Sequence, residues 1–170
     1  MNKNYKYYLL TLLLATHIVL SGLYIPVAEN LRIQITFVVS MLTAILYPTK
    51  VLIFYGIAED LIAFFLFPSG DFFPGYTLST VAALLLYRFF LHTQKIDIWH
   101  VGCARLSVNL LVNVGLGSLW SAMLYHKGYW YYLGKGIIKN LILFPIEVSI
   151  FLVFWKLIYH ILRKYHLVKE

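Results

Sequence analysis

The chain has 170 residues, of which 61% are hydrophobic and 12% charged, whereas a water-soluble domain carries about 25% charge. That balance excludes an ordinary soluble domain and places the chain in a lipid bilayer. The formal net charge of +7 forms no basic soluble face, which excludes a nucleic-acid partner, and the single Cys103 excludes an internal disulfide.

Crossing about 30 Å of hydrocarbon takes roughly 20 helical residues. Lipid offers no partner to free backbone groups, so the crossings must be helices. Six apolar runs fit, and the expected fold is an all-α, single-domain bundle of six transmembrane helices. The first runs from about Tyr5 to Tyr24 behind Lys3 and Lys6. It is longer than the roughly 7 to 15 residues of a signal-peptide core and has no A-x-A site, so it reads as a retained span. The loop "YIPVAEN" then brings Tyr24 and Pro26 to one face of the membrane.

The second span is expected from Leu31 to Tyr47, with Arg32 at its start. "YPTK", where Pro48 favours a tight turn, leads into the third, Lys50 to Phe67, with Asp60 near its middle. The next connection, "FLFPSGDFFPGYTLS", is turn-forming and yet as aromatic as a core. Phe72 and Phe73 sit between Pro68-Ser69-Gly70 and Pro74-Gly75, a stiff, bent backbone that can present rings as a stacking lid together with Tyr76. The alternative is an aromatic belt at the membrane interface, which also accounts for Tyr125, Trp130 and Tyr131.

The fourth span reads from Tyr76 to Leu91 and the fifth from Ile98 to Tyr125. In the fifth, Arg105, Asn109 and Asn113 are spaced by four and share a helix face that Gly117 and Trp120 continue. Polar groups in hydrocarbon turn toward the bundle interior. Asn109 suits a hydrogen bond between helices, whereas Asn113 and Trp120 suit the edge and the face of a heterocycle. "YHKGYWYYLGKG" is expected to be a loop, with the sixth span from Gly136 to Leu162. Asn140 lies at its start, Pro145 should kink it, and Glu147, like Asp60, can pair with Arg105 or an asparagine.

Basic residues gather on the cytoplasmic side. With both termini inside, that side receives Lys3, Lys6, Lys50, Arg88, Lys95, Lys156, Arg163, Lys164 and Lys169. Arg32, Lys135 and Lys139 remain outside near the aromatic loops, where they either snorkel to lipid headgroups or receive the carboxylates of an anionic ligand. The expected location is therefore the cell membrane, with the three aromatic loops on its outer face.

Catalytic signatures are missing. "GYWYYLGKG" departs from a P-loop in its glycine spacing and has Gly136 where Ser or Thr would hold magnesium. The six histidines show no H-E-x-x-H or paired-ligand spacing, and no serine lies in a G-x-S-x-G elbow. The expectation is a non-enzyme without metal or cofactor, so that any ATP is hydrolysed by another chain.

"FFLFPSGDFFPGYTLS", "NLLVNVGLGSLWSAMLYHKGY" and "IIKNLILFPIE" resemble the FolT family, the folate-specific S components of energy-coupling factor (ECF) vitamin transporters. The likeness runs from about Ala15 to Ile150. It implies a six-helix subunit that captures folate from outside and docks with a transmembrane coupling protein and two ABC ATPases for release into the cytoplasm. It also implies pterin stacking by Phe73, Tyr76 and Trp120, edge recognition by Asn113 or Asn140, and carboxylate recognition by Arg32, Lys135 or Lys139. The family docks through a first-helix Ala-x-x-x-Ala; the matching residues here are Thr11 and Ala15, with Thr in place of the first Ala. The chain also has less Gly at the second turn and along the third helix than its relatives. Two other readings remain: an S component for riboflavin, thiamin or biotin, and an MreD-like membrane scaffold, which would need no polar cavity.

Overall fold

The computed structural model describes residues 3–28, 31–68, 72–92, 96–125 and 128–165, with the side chains of 3, 4, 26–28 and 31–33 outside the description. Among the described residues six helices run up and down. Helix α1 is Lys3–Ser21, α2 Phe37–Leu46, α3 Thr49–Leu66 and α4 Pro74–Leu91. Helix α5 is Ile98–Tyr125 and α6 is Tyr129–Lys164. Between α1 and α2 the strands β1 (Ile25–Ala28) and β2 (Leu31–Ile33) pair antiparallel, with Ile25 opposite Ile33 and Pro26 opposite Arg32.

Two helix starts depart furthest from expectation. The second helix starts at Phe37 rather than Leu31, because Leu31–Ile33 satisfies its backbone in the hairpin. Leu31, Ile33 and Ile35 alternate with polar residues, a period of two that favours a strand. At 10 residues, α2 is about 15 Å long, half of a bilayer's hydrocarbon. The sixth helix starts at Tyr129 rather than Gly136 and continues through Pro145.

Helix ends are set by local chemistry. Pro48 is extended immediately before α3, and Pro74 occupies the first turn of α4, where its missing N–H costs nothing. Asp97 caps α5 by accepting from the His100 N–H at 2.9 Å. That bond, together with the His100 imidazole, holds the Asp97 carboxyl below its usual range. Arg88 on α4 donates to the Ala44 and Ile45 carbonyls, both at 3.1 Å. A cation is thereby placed on the C-terminus of α2, where the helix dipole favours it.

Helix α2 is the axis of the bundle: Phe37 through Ala44 are all buried. Around it Leu52, Leu84, Tyr87 and Phe151 are almost wholly buried. Helices α3 and α4 approach closely at Gly56, where a Cβ would stand 2.8 Å from Leu84 Cδ1 and 3.1 Å from Val81 Cγ2. The outside is the reverse of a soluble surface. Phe54, Phe65, Phe89 and Leu157 are at least 70% exposed, which is unfavourable in water and neutral in lipid. Helices α5 and α6 are each long and apolar enough to cross a membrane.

Candidate functional site

A cavity of about 530 Å³ lies inside the bundle, within the roughly 300 to 1,000 Å³ of small-molecule sites. Phe64, Phe67, Phe72 and Tyr125 line it at the end where α3 joins α4 and α5 joins α6. Tyr87, Arg105 and Glu147 line it deeper in the bundle.

The α5–α6 wall is a continuous hydrogen-bond ladder. Arg105 Nε donates to Glu147 Oε2 at 2.8 Å and its Nη2 to Glu147 Oε1 at 2.5 Å, a bidentate pair. Its Nη1 donates to the Tyr87 hydroxyl, and its guanidinium lies 4.3 Å from the Phe37 ring centroid. Asn109 Nδ2 adds a bond to Glu147 Oε2 at 2.9 Å. Asn113 Nδ2 donates to Asn109 Oδ1 at 2.9 Å and reaches Asn140 Oδ1 at 3.5 Å, while Asn140 Nδ2 donates to the Gly136 carbonyl at 2.8 Å. A buried charge is tolerated when it is paired and its remaining hydrogen-bonding capacity is filled, which is the state of Arg105 and Glu147.

This ladder crosses an unusual stretch of α5. Val108–Leu116 is wound as a π-helix, and Gly117 N–H donates back to the Val112 carbonyl. Its wider turn shifts the residues that follow around the axis, and such segments mark functional regions in helices. Trp120 does not line the cavity, although Asn113, Gly117 and Leu124 on the same helix do. Its Nε1 donates to Ser79 Oγ at 2.9 Å, and its ring lies 5.4 Å from that of Phe73, so it backs a ring that does line the cavity.

Gly75 makes this arrangement possible. A Cβ there would stand 2.3 Å from Phe73 Cε1 and 2.7 Å from Trp120 Cδ2. Phe73 also meets Tyr76 edge-on at 6.0 Å, and Phe72 meets Phe64 at 5.2 Å.

Of the residues singled out in the sequence, the cavity brings together Phe72, Phe73, Tyr76, Asn113, Tyr125, Lys139 and Asn140. Lys135 stays apart: it is exposed, and its Nζ donates to Tyr131 OH at 2.5 Å, one turn back on α6. Arg32 lies on β2, and its side chain is outside the described residues. Thr11 and Ala15 are exposed on α1, away from the cavity. Asp60 pairs with neither Arg105 nor an asparagine; its Oδ2 accepts from Thr77 Oγ1 at 2.5 Å because α4, not α5, packs beside it.

The cavity also collects residues that the sequence reading passed over, namely His17, Gln34, Thr36, Ser40 and Glu59. His17 Nδ1 is 3.3 Å from Glu59 Oε2 and 3.4 Å from Ser40 Oγ. An ionisable residue inside a membrane helix is itself a signal of function, and Glu59, beside Asp60, carried it. Among the described residues no group of three His, Cys, Asp or Glu side chains is placed to hold a metal ion. The site's chemistry is recognition: rings for a flat ligand, amides for its edges, an ammonium for acid and carboxylates for N–H donors.

No protein-family model matches the chain. It is similar to the folate transporter FolT of Leuconostoc mesenteroides subsp. mesenteroides, with 34% identity over 153 residues that cover 85% of this chain and 81% of that protein. The folate transporter FolT of Clostridium novyi is 28% identical over 103 residues, covering 61% of this chain and 60% of that one. A crystal structure of FolT bound with folic acid superposes with a TM-score of 0.79 at 26% identity, covering 86% of this chain and 89% of the other.

Proposed function

The chain belongs to the FolT family of folate transporters, and on that premise we propose that it is the substrate-capturing membrane subunit of an ECF importer. It takes folate at the outer face of the cell membrane and delivers it to the cytoplasm when docked on an ATPase-driven module. The observation that carries this reading is a cavity that gathers Phe73, Tyr76, Asn113, Asn140 and Lys139 in one chamber. Folate needs each of them, having a flat pterin, a polar heterocycle edge and a glutamate with two carboxylates.

In this reading the pterin stacks on Phe73 and Tyr76, with Trp120 stiffening Phe73 from behind. Asn113 or Asn140 reads the heterocycle edge, and Phe72 and Tyr125 close the mouth. Lys139 attracts the carboxylates from within the cavity. The bias of Lys and Arg toward one side puts both termini in the cytoplasm. The exposed Thr11 and Ala15 form a low stretch of α1 on which a helix of the coupling protein can lie closely. ATP is then consumed by two partner ATPases, and this chain needs no cofactor.

Equilibrium titration of the purified protein tests the reading. Folic acid should bind near-stoichiometrically, while riboflavin, thiamin and biotin should not. A folded sample that binds no folate ends it. Copurification with a membrane coupling protein and ABC ATPases tests the assembly, and recovery with cell-shape proteins instead would indicate a scaffold.

A further inference from the structure

Among the described acids that line the cavity, Glu59 is the one with a buried oxygen left without a hydrogen bond. It is only 3% exposed, and its Oε2 is fully buried with no hydrogen bond among the described residues. His17 Nδ1, at 3.3 Å, is within ion-pair distance of that oxygen but not in hydrogen-bond geometry. The other acids of the cavity are better occupied: Glu147 accepts from Arg105 and Asn109, and Asp60 accepts from Thr77. A carboxyl group left this poor in donors inside hydrocarbon is costly, and a ligand that supplies a donor to its other oxygen lowers that cost.

The neighbours of Glu59 show which way its carboxylate is held. Ser40 Oγ donates to the Thr36 carbonyl at 3.3 Å, so its lone pairs face His17 Nδ1 at 3.4 Å. An imidazole proton on Nδ1 would face both oxygens, Ser40 Oγ and Glu59 Oε2. His17 flanks Oε2 on the α1 side, and the Tyr55 hydroxyl is a second neighbour of the carboxyl group. Because Oε2 is out of reach, the cavity meets the remainder of the carboxylate.

We propose that Glu59, flanked by His17, accepts a hydrogen bond from the N–H donor edge of the heterocycle bound in the cavity. The inference rests on the folate reading and deepens it. The aminopyrimidinone edge of a pterin presents a ring N–H and an exocyclic amino group side by side, and a carboxylate accepts such donors more strongly than an amide does. Charge sets the orientation: Lys139 on α6 attracts the ligand's own carboxylates. The donor edge therefore faces α3, and the acidic tail faces α6 and the mouth.

The test titrates the full chain and its Glu59→Gln variant with folic acid and with the analogue whose 2-amino group is replaced by methyl. The wild type should bind the analogue about tenfold or more weaker than folic acid, the scale of a hydrogen bond to a charged acceptor. Glu59→Gln should lose a similar factor for folic acid and little for the analogue, removing the preference. Equal binding of both ligands by the wild type overturns the proposal even if the variant fails to fold. So does a variant that keeps the preference. A wild type that binds neither ligand removes the folate reading itself, a result distinct from binding both equally.

Discussion

On the α5–α6 wall of the cavity, Glu147 receives bonds from three nitrogens, two of Arg105 and one of Asn109. On the α1–α3 wall, Glu59 lies beside the His17 imidazole nitrogen, 3.3 Å away, and the Tyr55 hydroxyl, and among the described residues its buried oxygen accepts no hydrogen bond. Both are glutamates at similar depth in helices, and both are less than a tenth exposed. What separates them is how far their hydrogen-bonding capacity is filled from within the protein. A filled group holds helices together; a group left short remains available to a ligand.

Removing Glu147 should break that contrast most severely. Glu147→Ala strands the Arg105 guanidinium, which is 6% exposed, with Tyr87 and the Phe37 ring for company. Loss of one partner of a buried pair costs about 3 to 5 kcal/mol. Thermal unfolding in detergent should show a large drop in midpoint or no folded protein, whereas Glu59→Gln should leave the midpoint nearly unchanged. Equal drops in the two variants would show that both walls are structural.

The aromatic end of α4 bridges the two walls, and Gly75→Ala sharpens the comparison there. The new methyl group overlaps Phe73 and Trp120, and overpacking of this kind costs about 1 to 3 kcal/mol. Since Phe73 lines the cavity and Trp120 is tethered to Ser79, Phe73 is the ring that gives way, into the ligand's space. Folic acid affinity should fall by a larger factor than the loss of stability explains, as read by titration and melting of the same sample. Unchanged affinity would remove Phe73 from the ligand's surroundings.

The helical fold and the order of its helices were legible because lipid demands uninterrupted apolar runs, which survive in the sequence whatever the packing. The hairpin was harder to see: Leu31, Ile33 and Ile35 alternate, but inside a run that also satisfies a membrane helix. The start of α6 was hidden by Gly128, Gly134 and Gly136, which read as loop although a glycine costs a helix only about 1 kcal/mol. Spacing placed Asn109 and Asn113 on one face, and they do bond to each other. The same count carried Trp120 to the cavity wall, whereas its indole turns to Ser79 and to the Phe73 ring. His17 and Glu59 meet only through the packing of α1 on α3, a contact that no local pattern encodes.

Asp60 stands between the two cases, and its classification gives the smallest effect. It lies next to Glu59 on the cavity side of α3, yet its Oδ2 accepts from Thr77 Oγ1 at 2.5 Å, across to α4. Thr77→Val keeps the β-branched shape and removes the hydroxyl, so the change isolates that one bond. Side-chain bonds between membrane helices contribute about 0.6 kcal/mol on average, partly because the separated helices find other partners. If filling from within marks a structural group, Thr77→Val lowers the unfolding midpoint slightly and leaves folic acid affinity where it was. A variant that melts like the wild type but binds folic acid differently would move Asp60 to the ligand's side, and filling from within would no longer separate the two roles.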